Sequence, residues 1–266
     1  MVLEKRSLEG KVAVVTGAAG LLGSCLSQVL AEAGATVAVS DFRAEPLEKV
    51  AESVRQLGQK SIALLADITD SRQVDRMIEG AITKFGKIDI LVNAAGIVRG
   101  GGGERINQAK PIWEITDNEW RTGIDVNLSG AFYCCRAVAK HLLSQKSGKV
   151  INFASGYGLR GGEGNFMYCC GKGGIIQLTR VLALTWAQDN IQVNTIVPGF
   201  IAATAEGRQA QFIPVGRTGI PSDIASLGLF LASDASNYIT GGAFACDGGG
   251  LAGGYARTGY APIINM

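Results

Sequence analysis

Short apolar runs rich in β-branched residues alternate with amphipathic helical stretches along almost the whole of this 266-residue chain. Lys11–Thr16, Ala35–Ser40, Ser61–Ala66, Ile88–Val92, Val150–Ala154, Ile191–Val197 and Ala243–Cys246 read as strands. Unbroken apolar runs of this length, bounded by turn residues, mark strands buried on both faces. Between them, Ser24–Ala33, Leu47–Leu57, Ser71–Phe85, Glu119–Gln145, Asn165–Asp189 and Pro221–Ser233 carry helical patterns. Gly34 and Gly58 stop two of these helices, and Pro221 opens the last. This order predicts one α/β domain over residues 1–266, a doubly wound, seven-stranded parallel sheet with helices on both faces.

In such a sheet ligands bind beyond the carboxyl ends of the strands. Asp41, Asp67, Asn93, Ser155 and Pro198 all fall at those ends, so candidate polar groups converge on one crevice. The first strand runs into Gly17-Ala18-Ala19-Gly20-Leu21-Leu22-Gly23 and then a helix; the second strand ends in Asp41. Glycines at that turn let the backbone approach a pyrophosphate at a helix N-terminus. An acid some twenty residues on accepts hydrogen bonds from the adenosine ribose and repels a 2′-phosphate, which points to NAD. Arg43 follows two residues later; it is read as lying along the adenine edge or in solvent, with NADP tolerance through its guanidinium left open.

Residues 155 to 172 combine a glycine-rich loop with Ser155, Tyr168 and Lys172. Tyr168 and Lys172 stand four apart at the start of a helical run, so phenol and ammonium share one face. A neighbouring cation favours phenolate and is expected to lower the pKa of Tyr168 from its usual value of about 10. The phenol then suits general acid–base work near neutral pH. Ser155 offers a hydroxyl to the same pocket.

Composition narrows the function further. Lys plus Arg number 25 and Asp plus Glu 23, with neither sign concentrated, which speaks against a nucleic-acid partner or an anionic membrane surface. Every apolar run is broken by Gly or charge before the ~18 residues of a membrane span. The N-terminal MVLEKRSLEGK lacks the apolar core of a secretory signal, so a cytoplasmic location is expected. The six cysteines form no C-x-x-C pair and read as free thiols in a reducing compartment. With one histidine, His141, read as lying on a helix face, neither a metal site nor a Ser/His relay is expected. Three segments break the alternation: a long insertion at 97–118, a short lid at 202–217 and a C-terminal tail at 250–266.

From about Leu8 to Gly249 the chain resembles the compact, single-domain branch of the short-chain dehydrogenase/reductases, whose fold is the Rossmann type. The resemblance rests on Thr16-Gly17 with Gly20 and Gly23, Asp67, Asn93-Ala94-Ala95-Gly96, Asn127, Ser155, Tyr168-x-x-x-Lys172, Pro198-Gly199 and Asp247-Gly248-Gly249. It implies hydride transfer between a secondary alcohol and NAD, with Tyr168 as acid/base. It further implies that Ser155 binds the substrate oxygen, Lys172 holds the nicotinamide ribose, and Asn127 anchors a water. The implied cofactor contacts are Gly17, Gly20, Leu21, Leu22, Gly23, Asp41, Phe42, Asp67, Ile68, Asn93, Ala94, Ala95, Tyr168, Lys172, Pro198, Gly199 and Ile201. By the same analogy Ile97, Arg99, Tyr157, Arg160 and Phe200 face a small substrate: a polyol, a sugar acid or a similar hydroxy compound. Two departures stand out: Leu21 occupies the place of the branch's second glycine, and Ala203 that of a threonine usual after Pro-Gly. A homotetramer or homodimer is implied, paired through the helices at 119–145 and 165–189. The alternatives are a 3-oxoacyl thioester reductase and, from another class, a catalytically silent NAD-binding scaffold.

Overall fold

The computed structural model describes residues 7–97, 110–203 and 213–254. Its strands are β1 (Val12–Thr16), β2 (Thr36–Asp41), β3 (Ser61–Leu65), β4 (Ile90–Asn93), β5 (Gly148–Phe153), β6 (Ile191–Pro198) and β7 (Ala243–Cys246). They form one seven-stranded sheet in the order β3-β2-β1-β4-β5-β6-β7, and every pairing is parallel. The helices are α1 (Leu21–Glu32), α2 (Ala44–Gln56), α3 (Ser71–Phe85), α4 (Asp117–Ile124), α5 (Gly130–Gln145), α6 (Phe166–Trp186) and α7 (Pro221–Ala232).

Alternate residues of each strand feed two cores, as a pleated strand requires. Ala13 and Val15 of β1 pack with Leu26 and Leu30 of α1, Leu47 of α2 and Ile224 of α7. Val14, between them, joins Val74 and Ile78 of α3, Val138 and Leu142 of α5 and Trp186 of α6 on the opposite face. Both faces are covered, which is why the strands read as continuous apolar runs.

The sequence places α1 three residues too late. Gly20 is the N-cap, so Leu21 and Leu22 sit in the first helical turn, directly after the glycine loop. The long helix expected at Glu119–Gln145 begins instead at Asp117, where Thr116 and Glu119 close a reciprocal capping box. It is interrupted by a π-helical turn over Asp125–Ser129 between α4 and α5. Asn127 lies in that turn and is buried, whereas a regular helix would leave it an ordinary mid-helix amide.

Of the three segments that break the alternation, residues 98–109, 204–212 and 255–266 lie outside the described residues. Within the first, a short turn at Ile112–Glu114 precedes α4, and Lys110 pairs with Glu119 at 2.6 Å. Within the second, Ile201 bridges to Gly219. The tail begins as a π-helical turn over Gly250–Gly254. His141 lies on α5 and accepts the Ile88 amide at 2.9 Å through Nε2. All six cysteines are free thiols, with Cys134 and Cys135 buried. Among the described residues, no helix is long and apolar enough to cross a membrane.

Candidate active site

Strand order reverses between β1 and β4: the chain winds outward through β2 and β3, then returns to pair β4 against the other side of β1. The two strand ends open a crevice there, as the switch-point rule requires. A cavity of about 870 Å³ occupies it and runs along the carboxyl ends of the strands.

The β1 end of the cavity is made of backbone. Gly17 adopts φ +63°, and a Cβ there would come within 2.6 Å of the Ala95 Cα. Only glycine lets the turn after β1 nest against the segment after β4. The following α1 has no side-chain cap and no acid in its first turn, so its first N–H groups face the cavity uncapped. That donor set fits a pyrophosphate.

Asp41 lies next to this turn and is only 5% exposed. Its Oδ2 accepts the Ala19 amide at 3.2 Å, tying the end of β2 to the glycine turn. Arg43, on the wall of the same cavity, turns back toward this acid. It forks onto the carboxylate, with Nε to Oδ1 at 3.0 Å and Nη2 to Oδ2 at 3.2 Å. Its guanidinium also lies 5.5 Å from the Phe42 ring centre. Acceptor character at this position is therefore retained, while much of the charge is balanced.

At the other end, Ser155 follows β5 and caps a 3-10 turn at Gly156–Gly158, accepting the Tyr157 amide at 3.2 Å. The same hydroxyl stands beside the Tyr168 phenol and favours its ionised form. Tyr168 is in the first turn of α6 and Lys172 one turn later, so the helical spacing read from sequence is realised. Lys172 Nζ lies 5.8 Å from the centre of the Tyr168 ring and donates to the Phe153 carbonyl at 2.9 Å. Gly96 makes room for it: a Cβ there would stand 2.9 Å from Nζ.

The electrostatics differ from the sequence expectation. Burial pushes the Tyr168 phenol above its usual pKa, and the Ser155 hydroxyl only partly opposes this. Burial also pulls Lys172 down to about 8. Desolvation is the largest cause of both shifts, and spacing along a helix carries no information about burial. The lysine's depressed value has a testable consequence. The folded protein binds fewer protons than the unfolded chain between about pH 8 and the ordinary lysine value of 10.5. The penalty is therefore full below pH 8 and fades as pH rises through that window. Lys172→Met should be most favourable to stability, relative to wild type, below pH 8. That difference should shrink by up to roughly 3 kcal/mol by pH 10.5. Denaturant unfolding of both proteins across this range checks the slope.

The cavity wall contains Ser155, Tyr168 and Lys172 together with Gly17, Gly20, Leu21, Leu22, Gly23, Asp41, Phe42, Asp67, Ile68, Ala94, Ala95, Pro198, Gly199 and Ile201. It also contains Ile97, Tyr157, Arg160 and Phe200; Arg99 lies outside the described residues. Asn93 and Asn127 stand behind the wall. Asn93 donates to Asn152 Oδ1 at 2.8 Å. Asn127 clamps the chain after β4: its Nδ2 donates to the Ile97 and Gly123 carbonyls at 3.0 Å, and its Oδ1 accepts the Ile97 amide at 3.1 Å. Thr122, Val126 and Thr69 also line the cavity and carry no sequence signal, because only the packing of α4 and of the β3–α3 loop brings them there.

The fold and the cavity define a class of protein: α/β oxidoreductases that use a nicotinamide cofactor. The family model for short chain dehydrogenases matches residues 11–212. The chain is 38% identical to 2-dehydro-3-deoxy-D-gluconate 5-dehydrogenase of Escherichia coli K12, over 95% of this chain and 100% of that protein. It is 35% identical to a 3-oxoacyl-(acyl-carrier-protein) reductase of Thermotoga maritima, over 91% and 98% of the two chains. Its structure is similar to that of an NAD⁺-bound xylitol dehydrogenase, with a TM-score of 0.83, 30% identity and coverage of 91% of this chain and 99% of the other. The chain belongs to the short-chain dehydrogenase family and is an oxidoreductase acting on hydroxyl and keto groups.

Proposed function

We propose that the protein is an NAD-dependent dehydrogenase interconverting a small secondary alcohol, such as a polyol or sugar acid, and its ketone. One domain carries both cofactor and substrate. The observation that carries this reading is the Tyr168 phenol, beside Ser155 and one helical turn from Lys172, on the wall of a cavity whose far end holds Asp41. Similarity to a 2-dehydro-3-deoxy-D-gluconate 5-dehydrogenase and to an NAD⁺-bound xylitol dehydrogenase supports it.

A nicotinamide cofactor bound in this cavity would supply the hydride acceptor for the carbinol carbon. The chain supplies the rest. The open N-terminus of α1 and the Gly17 turn would hold the pyrophosphate, and Asp41 would accept from the adenosine ribose. Ser155 donates to the substrate oxygen and fixes it against Tyr168. Tyr168 takes the hydroxyl proton on oxidation and returns it on reduction. Lys172 lies against the same ring and stabilises the phenolate as it forms. Asn127 holds Ile97 and the α4–α5 turn in place, which keeps the substrate wall rigid.

The thioester-reductase alternative has support in the Thermotoga maritima relative. Asp41 weighs against it, since a buried acid at the ribose disfavours the 2′-phosphate of NADPH. A panel of secondary alcohols, polyols and hydroxy acids, each assayed with excess NAD⁺ and with NADP⁺, decides. NADH formation on one substrate class with NAD⁺ preferred is the expected result. Silence on every alcohol, with reduction of 3-oxoacyl thioesters by NADPH, would reverse the assignment.

A further inference from the structure

Tyr157 and Arg160 form a second layer on the substrate side of Tyr168. The Tyr157 ring meets the Tyr168 ring edge-on, with centres 6.3 Å apart. The Arg160 guanidinium lies 5.2 Å from the centre of the Tyr157 ring. The ring between them is pinned on another side by Gly162, where a Cβ would come within 2.7 Å of its atoms. The 3-10 turn after Ser155 sets the spacing, because the amides of Leu159 and Arg160 both donate to the Gly156 carbonyl at 3.1 Å. Ser155, Tyr157, Tyr168 and Arg160 all contribute to the wall of the same cavity.

The charge in this cavity is divided. The acids of its described wall, Asp41 and Asp67, lie at the ends of β2 and β3. Ser155 follows β5, three strand positions from β2, or about 14 Å. Around Tyr168 the described wall holds no acidic side chain; its cations are Lys172 and Arg160. A guanidinium stacked on an aromatic face keeps its N–H fork in a fixed plane, the geometry that pairs with a carboxylate through two hydrogen bonds.

We infer that Arg160 determines specificity by binding the carboxylate of the substrate, so that the class oxidised is hydroxy acids rather than neutral polyols. The inference rests on the reading that Tyr168 handles the carbinol. On this reading the hydroxyl of the acid sits at Ser155 and Tyr168 and its carboxylate at Arg160.

The test uses pairs of four- to six-carbon aldonates and their alditols, such as gluconate with sorbitol and threonate with threitol, each pair differing only in carboxylate against hydroxymethyl. With NAD⁺ saturating, wild type should favour the aldonate by about 30-fold or more in kcat/KM. Arg160→Gln should raise the aldonate KM by a similar factor, with kcat within about 3-fold, and leave the alditol KM nearly unchanged. Arg160→Lys should recover part of the loss, as a point charge without the fork. Equal loss on both members of a pair, or turnover with no aldonate preference in wild type, overturns the inference while sparing the dehydrogenase reading. Calorimetry of gluconate binding to the NADH complex separates the remaining cases. Binding by wild type that Arg160→Gln abolishes, in a protein that turns over neither set, supports the arginine and refutes the role given to Tyr168. No binding and no turnover overturns both.

Discussion

Tyr168→Phe is expected to lower kcat by about 10³-fold while leaving NADH affinity within about twofold. General acid–base catalysis is worth 10²–10⁴-fold, and the proposed mechanism assigns all of it to one phenol. The substitution removes a single oxygen from a side chain held between Lys172 and Tyr157, and the ring contacts at 5.8 and 6.3 Å survive. The adenosine end of the cavity lies several strands away and does not feel the change. Ser155 keeps its contact with the Tyr157 amide, so the loop after β5 stays in place. Steady-state rates and a fluorescence titration with NADH together check the split. Retention of more than a tenth of the turnover would transfer the acid–base role to another group. A wild type that binds NADH yet turns over nothing in either direction would favour the silent scaffold.

Asp41→Asn should produce the second large effect, in cofactor choice. NADP⁺ kcat/KM should rise by about 100-fold and NAD⁺ kcat/KM should fall by up to about tenfold. Two charges act on a 2′-phosphate at this position. The buried carboxylate repels it, and Arg43, which now forks onto that carboxylate, is the nearest guanidinium able to accept it. Juxtaposed like charges cost several kcal/mol, and each 1.4 kcal/mol is a factor of ten. Asparagine keeps an oxygen to accept the Ala19 amide, so the glycine turn retains its tie to β2. It also releases Arg43, whose side chain is already 45% exposed, to meet the phosphate. Comparison of the two cofactors on one substrate reads the switch. An unchanged NAD⁺ preference would mean that the side chain at position 41 does not read the ribose.

Much of the site was legible before any coordinates. Tyr168 and Lys172 share a helix face because the helix repeat is local. Asp41, Asp67 and Ser155 reach one crevice because parallel strands put all their carboxyl ends on one side. Asn127 was legible only through the family resemblance, since its burial depends on a π-helical turn that its neighbours do not announce. The Arg43–Asp41 pair carried no sequence signal: the tight bend after β2 folds the arginine side chain back onto the acid.

The chain's own pattern determined the parallel, doubly wound sheet and the carboxyl edge at which the cavity opens. These follow from hydrophobic period, turn residues and handedness, all of which act over short stretches. Tertiary structure alone decided the charge states. It buries Lys172 until its pKa falls to about 8, raises the Tyr168 phenol instead of lowering it, and pairs Asp41 with Arg43. Desolvation depends on what every other segment packs around a group. No spacing between two residues records that sum, and so the chemistry of the pocket became readable only once the chain had closed around it.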